Sequence, residues 1–288
     1  QPLATDMGSA ELRQLGQGVL RKSLLSARLN LINVVDDLKL SLESYLAGDT
    51  NLATAKMDLL DSLRQYGYTP EKGFPGAPSA NILAAEPGTL RDLSSAGRTQ
   101  LVVQTNFRQA TNYMKQQAGN EPAALEQFPA WELKRIYPRM VPRGEKRTAE
   151  GLVPVPGAGW PSRFRRAAEA TGDTDALHVL NTTGRMIARK DSPVWQYLGD
   201  PANFPDAIGP DYPPLAFNSG YGWMAVPRTE CVALGLIQAN TRLAPQSSEF
   251  AAELKRDAAS NTLADLKATR DALRAAAGAL RGGRGGAA

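Results

Sequence analysis

The stretch LRKSLLSARLNLINVVDDLKLSLESYLAGDTNLATAKMDLLDSLRQYG, residues 20–67, sets the architecture of the chain. From Leu20 onward its apolar positions are Leu24, Ala27, Leu31, Val34, Leu38, Leu42 and Tyr45, separated mostly by steps of four and three. That spacing puts them on one face of an α-helix. Gly48 and Asp49 end the seam. Thr50 or Asn51 then serves as the N-cap of a second helix, with Leu52, Ala55, Leu59, Leu63 and Tyr66 on one face and Gly67 and Pro70 as its stop. The expectation for residues 1–69 is a helical region built on this hairpin.

Working outward, residues 70–88 hold Pro70, Pro75, Pro78 and Pro87 with Gly73, Gly76 and Gly88, which exclude regular helix and central strand and read as a linker or extended arm. Thr89 with Asp92 resembles a capping box and predicts a third helix running to about Ala118, with Gly97 as its weak point. Beyond Gly119, prolines at 122, 129, 138, 142, 154, 156 and 161 argue against long helices. Leu177-His178-Val179-Leu180, Asn181-Thr182-Thr183-Gly184 and Arg185-Met186-Ile187-Ala188 read as a β-hairpin, two short apolar runs about a turn. Residues 192–227 read as loops held by aromatic packing. A C-terminal helix is expected within 237–281, capped by Ser247 or Ser248 and carrying Ala259, Leu263, Leu266, Leu273, Ala277 and Leu280, before a flexible tail over 282–288. The fold class is therefore α+β and predominantly helical: an N-terminal helical hairpin, a loop-rich middle domain over 89–236 with a small β element near residues 133–190, and a C-terminal helix.

Composition narrows the chemistry. A single cysteine and a single histidine among 288 residues exclude an internal disulfide framework, a cysteine-based metal site and most triad chemistry, so neither a metal nor a cofactor is expected. No apolar run approaches the roughly 20 residues of a membrane-spanning helix, and no signal-type segment opens the chain. A soluble, cytosolic or virion-like protein is expected. Gln1 in the first position suggests a fragment or a processed product.

His178 reads as a strand histidine satisfied by a local hydrogen bond, and Cys231 as a small buried hydrophobe on a short helix. Gly157-Ala158-Gly159 lies among prolines with no helix to open and reads as a turn; there is no phosphate-cradling loop or dinucleotide fingerprint. Charge is uneven. Residues 128–191 hold twelve Lys or Arg against seven Asp or Glu, so this segment is +5 in a chain whose net charge is +4. Trp131, Tyr137, Trp160 and Phe164 are interleaved with those cations, a composition suited to phosphate or to an acidic protein surface. Lys134, Arg135, Arg139, Arg163, Arg165 and Arg166 are the candidate contacts.

The order of several short motifs carries a resemblance. Tyr66-Gly67-Tyr68-Thr69-Pro70 is followed by Leu101-Val102-Val103-Gln104-Thr105-Asn106-Phe107-Arg108-Gln109-Ala110, then by Phe128-Pro129-Ala130-Trp131-Glu132-Leu133 and Trp160-Pro161-Ser162-Arg163-Phe164. After the His178–Gly184 stretch come Asp191-Ser192-Pro193-Val194-Trp195, Tyr212-Pro213-Pro214-Leu215-Ala216-Phe217-Asn218-Ser219-Gly220 and Val226-Pro227-Arg228-Thr229-Glu230-Cys231. Over about residues 30–236 this series resembles the tailed-phage head morphogenesis, or minor capsid, family typified by phage Mu protein F. Where many members carry an Asn-Cys-Arg-Cys type sequence, this chain has Phe217-Asn218-Ser219-Gly220-Tyr221-Gly222-Trp223, without cysteines.

The resemblance implies a non-catalytic virion protein, present in the phage head and in host cytoplasm during assembly. It would act with the portal or major capsid protein in prohead assembly, genome packaging or DNA delivery. It also implies that Thr105, Asn106, Arg108, His178, Trp195, Tyr212, Pro213 and Pro214 are structural motif residues. The competing readings are a nucleic-acid-binding protein, with the basic residues of 128–191 on one face and double-stranded DNA as partner, and a transferase-type enzyme with a polar cluster around His178 or a carboxylate.

Overall fold

A computed structural model describes residues 2–3, 24–25, 31–75, 85–137, 144–149, 151–155, 157–217 and 219–246. Two short strands, β1 (Pro2–Leu3) and β2 (Leu24–Leu25), pair in parallel. Helix α1 (Ile32–Ala47) and helix α2 (Leu52–Gln65) follow as the expected hairpin. Leu24, read as part of the α1 seam, lies in β2 instead, and α1 begins only at Ile32. The ends of the hairpin follow the local chemistry. Gly48 takes the left-handed conformation (φ 85°) that closes α1, and the Asn51 side chain accepts from the Ala53 and Thr54 amides at 2.9 and 3.1 Å to open α2.

Helix α3 (Ala96–Gly119) starts six residues later than the Thr89 box predicts. Asp92 is spent locally: its carboxylate accepts from the Gly88 and Ser94 amides at 2.9 and 2.8 Å, which folds 88–94 into turns. Ser95 is the N-cap, accepting from the Arg98 amide. Gly97 thus falls in the first turn, where no amide needs an intrahelical acceptor, and it costs the helix little. Val34, Val35, Leu38, Ala55, Leu59 and Leu63 form one core with Val102, Val103 and Phe107 of α3. Tyr68, Phe74 and Leu93 join it, so the Pro/Gly-rich stretch contributes to the helical core. The Tyr68 hydroxyl accepts from the Leu93 amide at 2.9 Å, which ties the exit of α2 to the entry of α3.

Helix α4 (Pro122–Gln127) leads into β3 (Ala130–Arg135), the central strand of an antiparallel sheet ordered β6-β3-β7, with β6 at Ile187–Arg189 and β7 at Tyr221–Val226. Trp131 pairs with Ala225 and Ala188, and Leu133 with Trp223. A separate hairpin, β4 (Glu145–Thr148) and β5 (Gly151–Pro154), precedes helix α5 (Trp160–Thr171). Helices α6 (Thr174–Thr183), α7 (Val194–Gly199) and α8 (Arg228–Ala233) complete a predominantly helical α+β fold.

Four readings are corrected here. The stretch 177–183 belongs to α6 rather than to a hairpin, because Asp173 caps the Ala176 amide at 2.9 Å and Gly184 (φ 72°) closes the helix; only Ile187 and Ala188 of the expected second strand are extended, and they pair with β3. His178 is therefore helical, and it is exposed. Gly157-Ala158-Gly159 does open a helix: Gly159 is the N-cap of α5, and Pro161 sits in its first turn, where a missing amide is harmless. Within the loop-rich 192–227 stretch, α7 and β7 are regular. The small sheet is also wider than residues 133–190, running from Ala130 to Val226.

The chain through Pro245 forms one unit. The expected C-terminal helix and tail lie outside the described residues.

Two glycines test this packing. At Gly199 an added Cβ would sit 1.8 Å from the Pro210 carbonyl oxygen, backbone against backbone, while at Gly184 it would meet nothing within 4 Å. Gly199→Ala is expected to cost more than about 3 kcal/mol in urea denaturation, and Gly184→Ala about 1–2 kcal/mol from its left-handed backbone alone.

Candidate functional site

Four of the motifs, those with Trp131, Trp160, Trp195 and Tyr212, meet in an aromatic core against one face of the sheet. Trp131 on β3 and Trp223 on β7 stack nearly parallel, with ring centroids 5.1 Å apart and 6° between planes. Trp195 of α7 meets Trp223 edge-on at 5.3 Å, and Phe164 of α5 meets Trp195 at 5.9 Å. Trp160 packs on Tyr221 at 5.3 Å. The Trp195 indole nitrogen donates to the Arg189 carbonyl at 2.8 Å, which holds α7 on β6. Tyr212, Pro213 and Pro214 are buried, with a cis Pro213–Pro214 bond, and Tyr113 of α3 meets Tyr212 at 5.7 Å.

The other motif residues also pack. Asn106 donates from Nδ2 to the Val102 carbonyl at 2.9 Å, and Thr105 is half-buried beside it. Arg108 lays its guanidinium 3.7 Å from the centre of the Tyr137 ring, and burial pulls its pKa below the ordinary value. This contact joins α3 to the end of β3, where the Ile136 and Tyr137 amides both donate to Gly220. His178 contributes its backbone carbonyl, which accepts from the Thr182 hydroxyl at 2.9 Å.

The opposite face of the sheet is covered by Val179, Cys231, Leu236 and Ile237 packed on Ala130, Ile187 and Val226. Cys231 is fully buried, as expected, and burial pushes its thiol up to about 11. Across this region Arg185 bridges two carboxylates. Its Nε and Nη2 donate to Glu132 at 3.0 and 2.8 Å, and Nη1 donates to Glu230. The bidentate bond to Arg185 holds the Glu132 pKa below its ordinary value against the opposing effect of burial. Lys190, near by, donates to the Gly119 and Ala124 carbonyls at 2.8 and 3.3 Å, with Nζ 4.4 Å from the centre of the Trp131 ring; burial pulls its pKa down to about 8.

The six candidate basic residues are not gathered into one patch. Lys134 and Arg135 are consecutive on β3 and so point to opposite faces; Lys134 is exposed, whereas Arg135 lies over the Tyr221 ring on the aromatic side. Arg163 is paired with Asp206 at 2.7 Å and lies over Phe204, which Arg166 also covers. Arg165 is exposed and bonded to Asn181. Arg139 lies outside the described residues. Arg189 is paired with Asp191, so four of the twelve cations, with Arg163, Arg185 and Lys190, serve the fold itself. The partners of Arg163 and Arg185 were missed because Asp206 and Glu132 lie 43 and 53 residues away, with no local pattern to join them.

Among the described residues no group of three or more His, Cys, Asp or Glu side chains is placed to hold a metal ion, and no helix is long and apolar enough to cross a membrane. No family model, curated protein or solved structure matches the chain.

The Glu132–Arg185 bond sets a pH dependence. Because the folded pKa of Glu132 is depressed, its contribution is complete above the ordinary glutamate range and is lost as pH falls through the folded pKa. Glu132→Gln should lower stability at pH 7 by about 1–2 kcal/mol, and the gap to the parent chain should close as the pH is taken below about 4 in a thermal-melt series.

Proposed function

We propose that this chain is a structural component of a tailed-phage head, a minor capsid or head-morphogenesis protein acting with the portal or major capsid protein in prohead assembly, packaging or DNA delivery. The observation that carries this reading is the use to which the motif residues are put. The Thr-Asn-Phe-Arg segment of α3, the Phe-Pro-Ala-Trp entry to β3, the Trp-Pro-Ser-Arg start of α5 and the Tyr-Pro-Pro turn are far apart in sequence. They nevertheless pack on, or brace, the same aromatic core and the same sheet. Their ordered recurrence has a common physical cause, since each supplies a piece of one scaffold. Arginine, tryptophan and tyrosine serve as braces between elements, which suits a body that presents surfaces to neighbouring subunits. The exposed His178 and the buried, high-pKa Cys231 offer no activated nucleophile.

The test is compositional. Quantitative mass spectrometry of purified proheads and mature particles of the encoding phage should find the polypeptide in a constant, low ratio to the portal protein. Its absence from both would overturn the reading.

A further inference from the structure

Three arginines of the body, Arg163, Arg185 and Arg189, each meet a carboxylate. Two others do not. At the end of the sheet where β3 runs out, Arg108 of α3 lies over the Tyr137 ring and Arg135 of β3 over the Tyr221 ring, with guanidinium carbons 3.7 and 5.1 Å from the ring centres. Among the described residues these two guanidinia meet tyrosines alone, Tyr137 and Tyr45 for Arg108 and Tyr221 for Arg135. Both side chains are half-buried, and the Arg108 Nε and Arg135 Nη1 atoms are enclosed without an acceptor.

The contrast with the paired arginines is electrostatic as well as geometric. Carboxylates raise the pKa of Arg185 and Arg189, whereas burial lowers that of Arg108. A guanidinium partly withdrawn from water and given no counter-charge carries a desolvation cost that an incoming carboxylate offsets. The attraction is stronger there than at a fully hydrated side chain. The two cations are also held near each other. Arg135 and Tyr137 are two residues apart, at most about 7 Å along the backbone. Tyr221 lies directly across from Arg135 in the β3–β7 register. Gly220 fixes the bend by accepting the Ile136 and Tyr137 amides at 2.9 and 3.0 Å, and Trp160 packs on Tyr221.

The surroundings indicate what the arginines meet. Tyr137 and Ile136, 36% and 42% exposed, put apolar surface beside the charge. Arginine and tyrosine in a fixed, partly desolvated setting are the usual anchors of a protein–protein contact. A nucleic-acid backbone would answer the arginines and leave the apolar surface unused. We propose that this end of the sheet docks an acidic segment of a partner protein, with its carboxylates on Arg108 and Arg135 and an adjoining apolar side chain on Tyr137. The inference rests on the head-protein reading only in taking that partner to be another protein of the same assembly. Failure of the contact would leave the head-protein reading intact, and absence of the chain from particles would leave the contact intact.

The experiment is an anisotropy titration of the full chain against a labelled peptide of alternating aspartate and leucine, in about 0.1 M salt. The asparagine–leucine counterpart and a labelled DNA duplex are run beside it. The acidic peptide should bind at least about tenfold more tightly than its amide counterpart, and Arg135→Gln should remove roughly tenfold of that affinity. Arg135→Lys keeps the charge without the planar fork and should lose less. Arg135 makes no ion pair with another element, so both variants should keep the fold, which a thermal melt checks. Arg64→Gln, at an exposed site on α2, should bind as the parent chain does. Equal binding of the acidic and amide peptides, or an Arg135→Gln variant that folds and binds as the parent does, would overturn the assignment. So would duplex DNA that binds more tightly than the acidic peptide and loses its affinity in the same variant.

Discussion

Trp131 stacks on Trp223 and also carries the Lys190 ammonium, held over its ring by the Gly119 and Ala124 carbonyls. At Gly119 an added Cβ would lie 2.4 Å from the Trp131 ring, so the last residue of α3 is fixed by the indole itself. Much of the body follows from this contact. It sets where α3 ends, orients β3 between β6 and β7, and places Trp223 against Trp195 and hence α7. Stacked and edge-on aromatic pairs contribute about 0.5–1.5 kcal/mol each beyond the area they bury, and here several share partners, so the loss of one ring disturbs others. Arg185 performs the same joining on the other side, where one guanidinium holds β3 and α8 through Glu132 and Glu230.

The parts legible in the sequence are those where local chemistry decides the outcome. Asn51 and Gly48 announce the ends of α2 and α1, and the three-four spacing of the apolar residues places the hairpin between them. Thr89 and Asp92 mislead for a physical reason: the same carboxylate that could cap a helix can fold a turn with Gly88 and Ser94, and Ser95 is the better-placed cap. The run 177–188 misleads because a short apolar segment fits either period, and Gly184 serves equally as a hairpin residue or a helix terminator. Asp173, four residues earlier than the run, decides the matter by capping α6.

Strand β3 was obscured by its own burial. Covered on both faces from Ala130 to Leu133, it lacks the alternation that marks a half-exposed strand. The candidate basic set was legible as a charge excess and illegible as a surface. Composition counts cations without counting the carboxylates that tertiary structure delivers to them, and Asp206, Glu132 and Glu230 come from other elements.

All four tryptophans of the chain, at 131, 160, 195 and 223, belong to the aromatic core, and none to the helical core of α1, α2 and the first half of α3. Tryptophan-selective fluorescence therefore reports on the sheet region, whereas far-ultraviolet dichroism is weighted toward the helices. The molecule carries a built-in spectroscopic division between its two larger cores. A denaturation followed by both signals distinguishes a body that melts as a whole from one whose helical layer parts from the sheet first.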